Sequence, residues 1–258
     1  MKTTTPKQSE YLDMLVYGRY GSGKTPFVAT ADDHEDMQDV LFVAFEPGFS
    51  SIRDRDLTVI EIDKFDEFDK VYQYLHRQGM LRRQGNDEKL LEMHNKFFDV
   101  DDDEPELYNT VILDSFTEAQ MLLKYQILSF DYKDNLSDET PEMGWDEWGQ
   151  LKERTKRLVT NFQKLEMNTL FTALLSENKD EITGEISREP MLEGSSSDEV
   201  PGVFDLVLCM KSAEEEGADS KILTRDLDGY HARDRFGELD TVILDPTVPD
   251  IYDSIFNK

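Results

Sequence analysis

The segment Gly18-Arg19-Tyr20-Gly21-Ser22-Gly23-Lys24-Thr25 fits the pattern G-x-x-x-x-G-K-[ST], and a largely apolar run, LDMLVY (12–17), precedes it as a buried strand would. A strand, a glycine-rich turn and a helix in that order leave few folds open. Glycines let the backbone wrap a phosphate chain, and the N–H groups that open the next helix face the anion. Lys24 then reaches the β- and γ-phosphates, and the Thr25 hydroxyl ligates Mg2+. Pro26 falls in the first helical turn, where a missing N–H is harmless. ATP and Mg2+ are the expected ligands, gripped by all eight residues.

Further apolar, β-rich runs follow at VLFVAF (40–45), LTVIEI (57–62), YNTVIL (108–113), NTLFTALL (168–175) and FDLVLCM (204–210). Helical periodicity fills the intervals at 65–79, 86–98, 116–130 and 145–165. Strands alternating with helices predict an α/β fold with a mostly parallel central sheet and crossover helices. At 258 residues the chain is expected to form one domain over 1–258. Shorter runs, KILTRDL and DTVILD, predict C-terminal edge strands, and IYDSIF a short last helix. The polar stretch 179–202, rich in Gly, Ser and Pro, predicts a long loop or hairpin, a place where function often sits.

Two acids complete the candidate chemistry. Asp114 closes the strand VILD, where a carboxylate holds the water shell of a nucleotide-bound metal; an Asp there can equally cap the helix, as can Ser115. Glu46 ends VLFVAFE at the carboxyl edge of the sheet, where ligands of open α/β sheets bind. It can activate water, or it can be an ordinary turn acid before Pro47-Gly48.

Composition removes other classes. No apolar run approaches the ~20 residues of a membrane span, and the first residues lack the apolar core of a signal peptide, so a cytoplasmic location is expected. Cys209, the one cysteine, sits in an apolar strand as a structural thiol. The four histidines lack metal spacing. The acidic run Asp99–Glu104 lacks the glycine and the last glutamate of a calcium loop and is expected to be solvated. A net charge of −28 repels a nucleic-acid backbone at long range, so such binding needs a local basic patch. Basic residues gather at Arg77, Arg82 and Arg83 and at Lys152, Arg154, Lys156 and Arg157. Trp145 and Trp148, three apart on one helical face, are expected to pack in a core or an interface.

The order GRYGSGKT, FVAFEPG, TVILDS and then LFTAL resembles the RecA-type ATPase core, and more narrowly the phage-encoded RecA-like ATPases of the single-strand-annealing recombinase kind. Weaker matches are Trp145-x-x-Trp148-Gly149, Pro201-Gly202-x-Phe204-Asp205 and Tyr230-His231-Ala232-Arg233-Asp234-Arg235. The resemblance implies ATP hydrolysis with Glu46 as catalytic base, Thr172 at the position that senses the γ-phosphate, and single-stranded DNA as partner in recombination or replication, in the host cytoplasm. It also implies a homo-oligomer in which Arg233 and Arg235 reach a neighbouring subunit's ATP; in a strand, residues two apart point the same way. A bland alternative has the two arginines offsetting Asp226, Asp228 and Glu238. The loop before Pro201 departs from those relatives by carrying Ser195–Glu199 where they carry a basic residue after the glycine. A nucleotide-gated assembly or loader protein acting through a protein partner is the rival function; a small-molecule phosphotransferase ranks last, because no acceptor site or lid is recognisable.

Overall fold

The computed structural model of the chain describes residues 10–48, 50–131, 139–212 and 220–257. Most of the apolar runs become strands buried on both faces, as a parallel sheet covered by helices requires. In chain order the elements are β1 (Asp13–Gly18), α1 (Lys24–Ala29), β2 (Val40–Ala44), β3 (Thr58–Glu61), α2 (Phe65–Gln84), α3 (Asp87–Phe98), β4 (Thr110–Asp114), α4 (Phe116–Ile127) and α5 (Trp145–Phe162). There follow β5 (Asn168–Lys179), β6 (Ile186–Pro190), α6 (Ser196–Glu199), β7 (Leu206–Lys211), β8 (Lys221–Leu223), β9 (Arg233–Asp234), β10 (Val242–Leu244) and α7 (Val248–Phe256), with 3-10 turns at Thr30–Asp33 and Pro201–Val203.

The strand order is β10-β8-β7-β1-β5-β4-β2-β3, with β6 paired to β5 and β9 to β7. Strands β7, β1, β5, β4, β2 and β3 run parallel. Strands β8, β9 and β10 are antiparallel at the β7 edge, which is the C-terminal sheet extension expected from sequence. Alternation along β1 splits the core: Leu15 and Tyr17 face a layer containing Phe68, Phe116 and Phe162 from α2, α4 and α5, whereas Met14 and Val16 face Phe27, Ile251 and Ile255 from α1 and α7. Cys209 is fully buried between strands, and burial pushes its thiol up to about 11. Among the described residues, no helix is long and apolar enough to cross a membrane.

Several boundaries differ from expectation. Helix α2 runs five residues past Gly79 and stops at Gly85, whose left-handed backbone ends it. Helices α4 and α5 stop three residues early, at Ile127 and Phe162. The 179–202 stretch is part hairpin: β5 extends to Lys179 and pairs with β6 across a tight turn, and α6 with the Pro201–Val203 turn fills the remainder. The late strand expected around Arg233–Arg235 covers Arg233 and Asp234 only.

Candidate functional site

The phosphate loop joins β1 to α1 at the carboxyl end of the sheet. Gly18 has no room for a side chain, because a Cβ there would lie 2.4 Å from the Met210 carbonyl oxygen and 2.6 Å from Ser22 Oγ. Gly23 caps α1 with φ 94, a backbone that favours glycine. The opening N–H groups of α1 have no acceptors within the helix. Ser22 Oγ is buried and, among the described residues, has no hydrogen-bond partner. Lys24 is buried, and its Nζ donates to the carbonyls of Gly18 and Arg19, each at 3.1 Å. Burial pushes this ammonium below its ordinary range, while the charges of Asp114 and Glu46 pull it back up.

Sheet order brings the acids to this loop. Strand β5 lies between β1 and β4, so Thr172, paired with Val16, faces Asp114 at the end of β4. Thr172 Oγ1 donates to Asp114 Oδ1, and Thr25 Oγ1 donates to Asp114 Oδ2 at 2.7 Å. Asp114 is therefore turned to the loop. Ser115 caps α4, its Oγ accepting from the Glu118 N–H. The same hydroxyl donates to Glu46 Oε1 at 3.1 Å, and the Phe45 N–H donates to the Asp114 carbonyl at 2.8 Å, tying the ends of β2 and β4 together. A cleft of about 160 Å³ opens between these groups, lined by Tyr20, Lys24, Thr25, Glu46, Asp114 and Ser115 among others. Burial, and then the Glu46 charge, push the nearby Glu118 carboxyl above its ordinary range.

The contents of this cleft match a triphosphate and a hard cation. Tyr20, Gly21, Lys24 and Thr25 of the loop line it, Lys24 brings a buried positive charge, and Thr25 with Asp114 supplies oxygen donors of the kind Mg2+ takes.

Other sequence candidates lie elsewhere. Arg19 is exposed and pairs with Glu177, whose Oε2 also accepts from Arg188 Nε at 2.8 Å; Tyr20 is exposed at the cleft rim. Arg233 and Arg235 sit where β9 pairs with Leu206 and Val207, at the amino end of the sheet, away from their own chain's phosphate loop. Both guanidinium groups donate to the Gly202 carbonyl, so they share a side, and Arg235 also pairs with Asp205 at 3.0 Å. Asp234 turns away and accepts from the N–H groups of Phe236, Gly237 and Leu239. Among the described residues, Arg233 and Arg235 bond to Gly202, Val203 and Asp205 and not to Asp226, Asp228 or Glu238. Of the tryptophans, Trp148 packs on Gly194 and near Lys124, whereas Trp145 is 95% exposed, which removes the core half of the core-or-interface expectation for it. The basic clusters are mostly spoken for: Arg82 bonds Asn109, Arg83 pairs with Glu166, Lys152 and Lys156 pair with Glu199, and Arg154 bonds Gln126.

Sequence reasoning missed the Ser115–Glu46 bond and the shared Glu177 carboxylate. Each joins residues far apart in the chain, and only the polar tail SENK of β5, unusual for a buried strand, hinted at the second.

No curated protein is significantly similar to the chain. A family model described as an AAA domain matches residues 10–236, nearly the whole length and every residue of the cleft. The chain therefore belongs to the AAA domain family, a P-loop ATPase-type domain that binds nucleotide.

Proposed function

We propose that this protein binds ATP with Mg2+ and hydrolyses it, using hydrolysis to act on single-stranded DNA in phage recombination or replication in the host cytoplasm. The observation that carries the ATPase reading is the convergence of Lys24, Thr25, Asp114 and Glu46 on one cleft beneath a phosphate loop. Lys24 holds the β- and γ-phosphates, Thr25 and Asp114 hold the metal, and Thr172 ties Asp114 to the strand between. Mg2+, when bound, neutralises developing phosphate charge. Glu46 accepts the proton of the attacking water, with Ser115 fixing its carboxylate. Arg233 and Arg235 complete the ATP site of a neighbouring subunit, a reading favoured by their shared side and their distance from their own loop.

A second reading, a nucleotide-gated loader acting mainly through a protein partner, is favoured by the charge of −28 and by the pairing of most clustered cations. Steady-state ATP hydrolysis with and without single-stranded DNA tests both. Stimulation by DNA that weakens steeply with salt supports the first; hydrolysis indifferent to DNA supports the second. No hydrolysis under any condition refutes the ATPase. Mixing Arg235→Ala with Lys24→Ala subunits, each inactive alone, is expected to restore activity; full activity of Arg235→Ala alone would discard the shared site.

A further inference from the structure

Two surface features play no part in the nucleotide cleft. Helices α2 and α3 form a groove of about 490 Å³ whose edges carry Lys70 and Arg77 on one side and Lys89 and Lys96 on the other. Each pair is seven residues apart, about 10.5 Å along its helix. No side chain of these four makes a hydrogen bond or ion pair among the described residues, although the protein carries a net charge of −28. Among the described residues Glu92 is the one acid lining the groove, and Tyr74, Met93 and Phe97 give it an apolar floor. Unpaired cations clustered around an apolar floor, on a protein with twice as many acidic as basic residues, mark a surface that awaits an acidic, partly apolar partner.

The second feature has the opposite character. Trp145 opens α5 almost fully exposed, and residues 139–148 hold Glu139, Glu142, Asp146 and Glu147 with no basic residue. Trp148, packed on Gly194 one turn later, anchors the helix that holds Trp145 out in solvent. A tryptophan can bury ~150–250 Å² and is enriched among the residues that dominate binding energy. Within one chain no hydrogen bond, ion pair or ring contact joins this knob to the groove among the described residues.

We infer that the knob of one copy seats in the α2–α3 groove of a second copy of this chain: the Trp145 ring lies on Tyr74, Met93 and Phe97, and the knob acids lie among Lys70, Arg77, Lys89 and Lys96. Knob and groove are different surfaces, so two copies either close reciprocally, each knob in the other's groove, or propagate the contact into a ring or a filament. It is independent of the nucleotide reading, because no groove or knob residue lines the phosphate cleft.

Sedimentation velocity across a concentration series, at low and high salt, tests this with a knob variant (Trp145→Ala with Asp146→Lys) and a groove variant (Arg77→Glu with Lys89→Glu). Wild type is expected to self-associate at low salt, with Trp emission shifting to the blue, and to dissociate as the Debye length falls from ~10 Å at 0.1 M to ~3 Å at 1 M. Each variant should weaken association at least ~30-fold, as loss of a central anchor does. An equimolar mixture should form dimers that stop there, through the intact groove of one variant and the intact knob of the other. All changed residues are exposed, so melting temperatures should match wild type; Lys70→Gln with Lys96→Gln replaces the groove variant if it fails to fold. A wild type that is monomeric throughout, or oligomers untouched by both variants, overturns the inference. So does a monomeric wild type whose groove binds a poly-glutamate peptide or an oligonucleotide, which would assign the groove to that partner instead. Self-association in Lys24→Ala separates this outcome from failure of the ATPase reading.

Discussion

The two ends of the central sheet each hold a polar cluster, and the two clusters differ in what they leave unsatisfied. At the amino end, Asp13 accepts from Thr169 Oγ1 at 2.8 Å and from Gln163 Nε2, and Gln163 also donates to the Val203 carbonyl. Asn168 there accepts from the Leu12 N–H and donates to the Asn109 carbonyl, and Arg235 closes on Asp205 and Gly202. These groups are partners for one another. At the carboxyl end, Ser22 Oγ has no partner among the described residues, Lys24 is held by the carbonyls of its own loop, and a cleft stands open beside Glu46 and Asp114. Burial raises the Asp13 carboxyl to about 6, yet Asp13 sits at the interlocked end. Spare hydrogen-bonding capacity beside a cleft, and not a perturbed titration alone, marks the end that binds.

Glu46→Gln probes the open end with the largest expected effect. Turnover should fall ~10²–10⁴-fold while ATP binding and melting temperature stay near wild type. Unchanged turnover returns Glu46 to a turn acid held by Ser115.

Asp13→Asn probes the closed end and should act on stability alone. The folded-state value, about 6, lies above the unfolded 3.8, so between these values the folded protein binds more protons than the unfolded chain. Stability from this group is therefore present at low pH and lost as pH rises through about 6. Asp13 alone should cost about 2 kcal/mol between about pH 4 and pH 7, a slope the Asn variant lacks. Urea midpoints of both proteins across that range measure the difference, and parallel curves would show that Asp13 is ionised throughout. ATP turnover at neutral pH should not change.

Thr172→Val lies on the strand between the two ends and removes one donor to Asp114. A net loss of ~0.5–1.5 kcal/mol corresponds to a ~2–10-fold fall in turnover or metal affinity. A larger fall would give the hydroxyl a direct part in nucleotide contact.

The open end was the more legible in the sequence. The phosphate loop is contiguous, and Asp114 and Glu46 follow apolar runs whose ends are visible, so residue type and strand order sufficed. Illegible features depend on pairings between distant segments. The Ser115–Glu46 bond needs β2 beside β4, and the Arg235–Asp205 pair needs β9 folded against β7. Helix α2 passes Gly79, a poor helix former, because Leu75, Gln78 and Leu81 are buried on either side and tertiary packing overrides propensity. Strand β5 outruns its apolar core because its tail SENK pairs with β6 instead of entering the main sheet.

Calorimetric titration of ATP with Mg2+ into the wild-type protein and into Lys24→Ala tests the central claim most directly. Lys24 is buried against its own loop carbonyls, and in the proposed function its charge holds the β- and γ-phosphates. The wild type should bind one ATP per chain, with affinity that falls when Mg2+ is chelated, and Lys24→Ala should show no saturable binding while melting as a folded protein. Equal affinity in the two proteins, or no binding by the wild type, would contradict the assignment of this cleft to ATP.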